Sequence, residues 1–280
     1  MQRFPGMLVI LVAVQGCQGL FFHPADEHYT NPEELFGYDY EDVWFESSDS
    51  VRLHGWFIPA QKNEPIGTIV HFHGNAQNIS AHIATISWLP EKGFNIFTFD
   101  YRGFGKSEGN PTITGVHADG IAAIETAIEQ WGEKQGGVLV IGQSLGASVA
   151  ITSSAKIDGD GVTGIIAENP FESYRGIARD TLSSFWLTWP VQHPLSWLVN
   201  DDYAPRDYLY RLESTPVLYL ISGADEIVPP SHGKSLYERT EGPRHLWVVE
   251  GARHYQAMAN VEMRRELRKT IEKWKTEESK

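Results

Sequence analysis

The chain has 280 residues, one cysteine (Cys17) and a formal net charge of −13, with 36 Asp+Glu against 23 Lys+Arg. A chain this long can bury about 75% of its unfolded surface, and 41% hydrophobic with 12% aromatic residues excludes a disordered tail or a fibre. The acidic balance argues against a nucleic-acid partner, which would need a basic stripe, and a lone cysteine excludes internal disulfides, cysteine-built zinc sites and iron–sulfur ligation.

The N-terminus reads as an address. Arg3 is the only charged side chain before Asp26, and the apolar run Leu8–Val14 follows it. A basic start and a short apolar stretch fit an export signal. Val14-Gln15-Gly16-Cys17 resembles a bacterial lipobox, with Gln15 a less usual occupant. The resemblance implies a signal over residues 1–16, lipid on Cys17 and, with Gln18 next, the outer membrane. Two other readings stand beside it. Phe4–Phe22 is 19 residues without a charge and could be an uncleaved anchor in the inner membrane, weakened by its glycines, glutamines and Pro5. Or Cys17 is an incidental buried thiol. Residues 17–37 are expected to be a linker.

Strands and helices then alternate. Val51–Ile58, Thr68–Phe72, Asn95–Phe99, Val138–Ile141, Gly164–Ala167, Val217–Ile221 and His245–Val249 are short apolar or β-branched runs bounded by Gly or Pro. Helical spacing of apolar residues marks Ser80–Glu91, Thr114–Trp131 and Asn260–Trp274, and small residues mark Ser144–Ala155. This pattern predicts an α/β fold with a parallel sheet covered on both faces. Residues 171–212 interrupt it, and the segment reads as a small helical insertion over one end of the sheet. Its Trp186, Trp189 and Trp197 are candidates for an apolar acyl pocket, or simply for the insertion's own core.

The chemistry sits where strands end. Gly142-Gln143-Ser144-Leu145-Gly146 follows a predicted strand and opens a helix, the context a nucleophile elbow needs. Serine is a weak nucleophile and requires a base and an orienting acid. The expected chain order is serine, acid, histidine. Asp225 follows the strand Val217–Ile221, and His254 follows the last strand, so these are the acid and base; Glu168 is the fallback acid, with Asp202 and Asp207 less suited. The helix N-terminus favours developing negative charge. The backbone amide of Leu145, with that of Asn75 from the loop after Thr68–Phe72, is the expected oxyanion hole. His71 and His73 form an H-x-H pair, but no carboxylate cluster accompanies them, so no metal is expected. Gly105-Lys106-Ser107 lacks the glycines of a phosphate loop.

These motifs resemble the α/β-hydrolase superfamily, in its branch of serine aminopeptidase-like hydrolases and α/β-hydrolase-domain depalmitoylases. The resemblance rests on His71-Phe72-His73-Gly74-Asn75-Ala76, Asp100–Ser107, Gly142–Gly146, Gly223-Ala224-Asp225 with Val228-Pro229, and Gly251–His254. It spans residues 38–275 and implies a mostly parallel central sheet with helices on both faces and a small helical cap. It also implies a Ser144–His254–Asp225 triad working without cofactor or metal, and a structural role for Asp100 and Arg102. The expected substrate is a small acyl ester or thioester; an aminopeptidase-like peptidase and a non-catalytic binding lipoprotein are the alternatives.

Overall fold

The computed structural model describes residues 21–132, 136–184 and 186–278, with side chains through 275. The signal, Cys17 and Phe185 lie outside the described residues. Eight strands form one sheet: β1 Glu41–Glu46, β2 Arg52–Ile58, β3 Gly67–Phe72, β4 Phe94–Phe99, β5 Val138–Gln143, β6 Val162–Glu168, β7 Val217–Ser222 and β8 Arg244–Val249. Their spatial order is β1-β2-β4-β3-β5-β6-β7-β8. β2 runs antiparallel to both of its neighbours, and every pairing from β4 to β8 is parallel.

The inner strands β2 to β7 are buried on both faces, which is why they read as continuous apolar runs. Alternate side chains feed two cores. Val138 and Val140 of β5, with Val217, Tyr219 and Ile221 of β7, join one. Leu139 and Ile141, with Leu218 and Leu220, join the other. Helices α1 (Ile113–Trp131) and α2 (Leu145–Lys156) supply Ile124 and Val149 to the first face, and α6 (Val261–Glu278) covers the second with Leu267, Ile271 and Trp274.

Residues 171–212 leave the sheet between β6 and β7. They hold α3 (Tyr174–Ser183), α4 (Gln192–Ser196) and short 3₁₀ turns. The remaining long helix, α5 (Pro230–Arg239), follows β7.

Three expectations need correction. β1 was not anticipated, nor was α5. The expected helix Ser80–Glu91 is broken into Ile79–His82, a 3₁₀ turn at Ile83–Thr85, and Leu89–Lys92. Pro90 has no N–H to continue an α-helical ladder, so the apolar spacing survives while the helix does not. Finally, residues 21–37 are not a free linker. Phe22 is buried, His23–Pro24 pairs in parallel with Ala76–Gln77, and Asn31 caps the short helix Pro32–Phe36.

Candidate active site

Ser144 stands between the end of β5 and the start of α2. Its backbone adopts φ 56° and ψ −118°, a conformation that L-residues rarely hold and that functional sites often do. The flanking glycines allow the turn. A Cβ on Gly146 would run into the carbonyls of Phe72 and His73 at the end of β3, and one on Gly142 would run into Gly146 and Ala147. The Leu145 amide, at the start of α2, has no partner a turn back within the helix, and it sits at the positive end of the helix dipole in a residue that lines the cavity with Ser144.

Gln143, the residue before the serine, is fixed from three sides. Its Oε1 accepts from His71 Nε2 at 3.2 Å and from the Thr85 hydroxyl at 2.9 Å, and its Nε2 donates to Glu168 Oε2 at 2.5 Å. Both nitrogens of His71 are thereby engaged, since Nδ1 meets Thr98 Oγ1 at 2.9 Å.

His254 and Asp225 come together from two loops. His254 Nδ1 donates to Asp225 Oδ2 at 2.6 Å. The other carboxylate oxygen, Oδ1, accepts from the amides of Ile227 at 2.8 Å and Val228 at 3.0 Å. Burial disfavours the Asp225 charge, but the His254 hydrogen bond and the two amides outweigh it and hold the carboxyl below its usual range. Glu168, the fallback acid, does not meet His254 Nδ1. Fully buried, it accepts from Gln143 and from the amide of Met258 at 3.1 Å, so it ties the His254 loop to the nucleophile strand. Burial pushes its carboxyl up. Asp202 and Asp207 stay in the insertion, where Asp207 pairs with Arg206.

Ser144, Leu145, His254, Asn75 and Ala76 line one cavity of about 400 Å³. Its apolar wall comes from Phe21, Phe171, Ile177, Ile227 and Val228, with His23, Thr181 and Tyr255 completing the lining. The three tryptophans proposed for an acyl pocket are elsewhere. Trp186, Trp189 and Trp197 are 80%, 61% and 69% exposed and none lines the cavity. The insertion reaches the cavity through Ile177 and Thr181 of α3 instead.

Two features escaped the sequence reading. Tyr255, next to His254, lines the cavity together with Ser144, and burial pushes its hydroxyl up to about 12. Phe21 sits edge-on to Phe171 at 6.5 Å and against Tyr174 at 5.7 Å. Adjacency to His254 was the only sequence signal for Tyr255; nothing in the sequence pointed to Phe21.

Asp100 is scaffold, as the family resemblance implied. It accepts from the Ile79 amide at 2.9 Å and pairs with His28 at 2.7 Å. Among the described residues, His28, His54 and Asp100 are the one group of three or more with metal-ligand atoms within 4.8 Å of each other. Each already has a partner: His28 and Asp100 bond each other, and His54 bonds Asp42 at 2.5 Å.

A strained serine elbow at the end of a central strand and a His–Asp pair on the loops after β8 and β7 are the arrangement of one superfamily. The family model for Hydrolase_4, "Serine aminopeptidase, S33", matches residues 63–211. The chain belongs to this family of α/β hydrolases. The hydrolase is 32% identical to the uncharacterized protein YfhR of Escherichia coli K12, across 92% of this chain and 90% of that one. It is 34% identical to the α/β hydrolase domain-containing protein WAV2 of Arabidopsis thaliana, across 71% and 66% of the two chains. Among solved structures, the hydrolase superposes on the Pyrococcus furiosus esterase Pf2001 with a TM-score of 0.70 at 24% identity, covering 90% of this chain and 99% of the esterase. That likeness speaks for the fold.

Proposed function

We propose that the chain is a serine hydrolase that cleaves a carboxylic ester or thioester through an acyl-enzyme. The observation that carries this reading is the His254–Asp225 pair on the rim of the apolar cavity into which the elbow presents Ser144. His254, its Nδ1 proton held by Asp225, accepts the Ser144 proton at Nε2. Ser144 Oγ attacks the acyl carbon. The amides of Leu145 and Asn75 stabilise the oxyanion, and the protonated Tyr255 hydroxyl stands beside them as an auxiliary donor. His254 then protonates the leaving alcohol or thiol, and a water activated by the same imidazole releases the acid.

The cavity favours an ester over an aminopeptide. A free α-ammonium group needs a carboxylate partner, and no described residue lining the cavity is Asp or Glu. The apolar wall suits an acyl chain. A panel of p-nitrophenyl esters of rising chain length, an aminoacyl nitroanilide and a fluorophosphonate probe tests the reading, with Ser144→Ala as control. Ester turnover and labelling that depend on Ser144 are expected. Aminoacyl turnover alone would make it a peptidase, and neither turnover nor labelling would make it a binding protein.

We also infer that the enzyme is held in the cell envelope by lipid on Cys17. Detergent-phase partitioning should then be lost in Cys17→Ala; partitioning that survives would mean an uncleaved apolar anchor.

A further inference from the structure

The insertion carries an apolar surface that no described residue covers. Trp186, Leu187, Trp189, Leu195, Trp197 and Leu198 are all exposed. More than half of the exposed large apolar side chains among the described residues fall within 186–198. Soluble proteins rarely expose so many together without a partner.

Charge narrows the partner. From Thr181 to Asn200 there is no Asp, Glu, Lys or Arg, in a chain whose net charge is −13. A surface made for a charged protein or an anionic headgroup would carry complementary charge. Tryptophan with leucine and no charge is the composition that settles at the boundary of a neutral bilayer, where the indole has an apolar body and a polar N–H.

The chain's own path points the same way. Phe4–Phe22 is free of charge, and this run enters the described structure at Phe21, on the wall of the cavity. With lipid on Cys17, only residues 18–20 separate the anchor from Phe21, a reach of at most about 14 Å. An anchor that close keeps the Phe21 wall of the cavity within about 14 Å of the bilayer. The same cavity is bounded by α3, whose Ile177 and Thr181 line it and on which the 186–198 segment packs.

We propose that the 186–198 face of the cap docks on a neutral lipid bilayer and opens the cavity toward it. Resting on the hydrolase reading above, the substrate class that follows is an acyl ester dissolved in or emerging from that bilayer.

The test uses the full chain with phosphatidylcholine vesicles containing a dibrominated acyl chain, which quenches tryptophan on contact. Quenching is expected in the wild type and should be lost in the combined variant Trp186→Ser, Trp189→Ser, Trp197→Ser, even where the N-terminal anchor still holds the protein on the vesicle. Turnover of soluble p-nitrophenyl acetate should be the same in both, while turnover of a long-chain ester in the vesicle falls in the variant. Equal quenching in both proteins, or none in the wild type, overturns the proposal. So does a lipid-free dimer that the triple substitution dissolves, because the face would then belong to a second copy. Failure of the wild type on the soluble ester would sink the hydrolase reading and leave the quenching result standing.

Discussion

The hydroxyl of Tyr255 occupies the space that a Cβ on Gly74 would need. Gly74 precedes the proposed oxyanion donor Asn75, and Tyr255 lines the same cavity as Ser144. With its pKa pushed up to about 12 by burial, the phenol keeps its proton at neutral pH and remains a donor. Tyr255→Phe should therefore lower kcat by about tenfold with KM nearly unchanged, less than the ~10²–10³ typical of a primary oxyanion donor. Gly74→Ala should lower kcat as well, by expelling the hydroxyl. Steady-state kinetics on a p-nitrophenyl ester decide it, and an unchanged kcat in Tyr255→Phe would remove the hydroxyl from the transition state.

Asp225 fixes the tautomer of His254, because an ionised carboxylate can only accept and so requires the proton on Nδ1. Asp225→Asn should drop kcat on the order of 10³–10⁴ while leaving the fold intact. It should also cost stability in a pH-dependent way. The folded carboxyl titrates below its ordinary value of 3.8, so its contribution is present above that value and is lost as pH falls through the folded one. Urea midpoints of wild type and variant should differ at pH 7, and the gap should begin to narrow as the pH approaches 3.8, over whatever range the wild type stays folded. A gap that stays constant down to the acid limit of the fold would assign the loss to packing rather than charge.

Much of this site was legible in the sequence because each of its three side chains lies within about five residues of the end of an apolar strand, and the inner strands announce themselves because both faces are buried. β1 was not legible for the opposite reason. Only Val43 and Phe45 of Glu41–Glu46 are buried, as befits an edge strand, and charges occupy both ends. The Glu168–Met258 tie joins residues 90 apart, and no local pattern encodes such a meeting. The tryptophans misled because composition reports that a segment is aromatic and not which way it faces. The mixed pattern of 186–198, with no buried stripe at helical spacing, is what an outward-facing surface looks like.

Arg102 is held by two aspartates. It donates to Asp119 Oδ1 at 2.7 Å and to Asp49 Oδ2 at 2.7 Å. Asp119 is fully buried, while Asp49 is largely exposed. Removing the buried partner leaves a guanidinium in low dielectric with one solvated neighbour. Asp119→Ala should cost about 3–5 kcal/mol, measured as a fall in the urea midpoint. Asp49→Ala should cost less than about 1 kcal/mol, as surface pairs do. Equal costs would show that the pair with Asp119 contributes no more than its exposed counterpart.

The buried histidines set an acid limit. Burial lowers His71 and His117 to about 3, and lowers His73 well below the ordinary 6.5. His54 and His82 are lowered too, again mainly by burial. The unfolded chain takes up these protons near 6.5 while the folded chain refuses them, so their stabilising effect is complete above that pH and is lost as pH falls toward the folded values. Each contributes a slope of about 1.4 kcal/mol per pH unit, about 4 for the three most deeply buried. Glu168 and Asp119, raised by burial, oppose this at lower pH, but two carboxyls do not offset five imidazoles. Stability should therefore be flat from pH 8 to 7 and fall steeply between 6 and 4.5. His117 bonds Tyr174 through Nε2 at 2.8 Å, a contact that an amide can replace. His117→Gln should flatten the slope by about one histidine's share. A wild-type profile that stays level to pH 5 would mean that these rings gain protons without leaving the core.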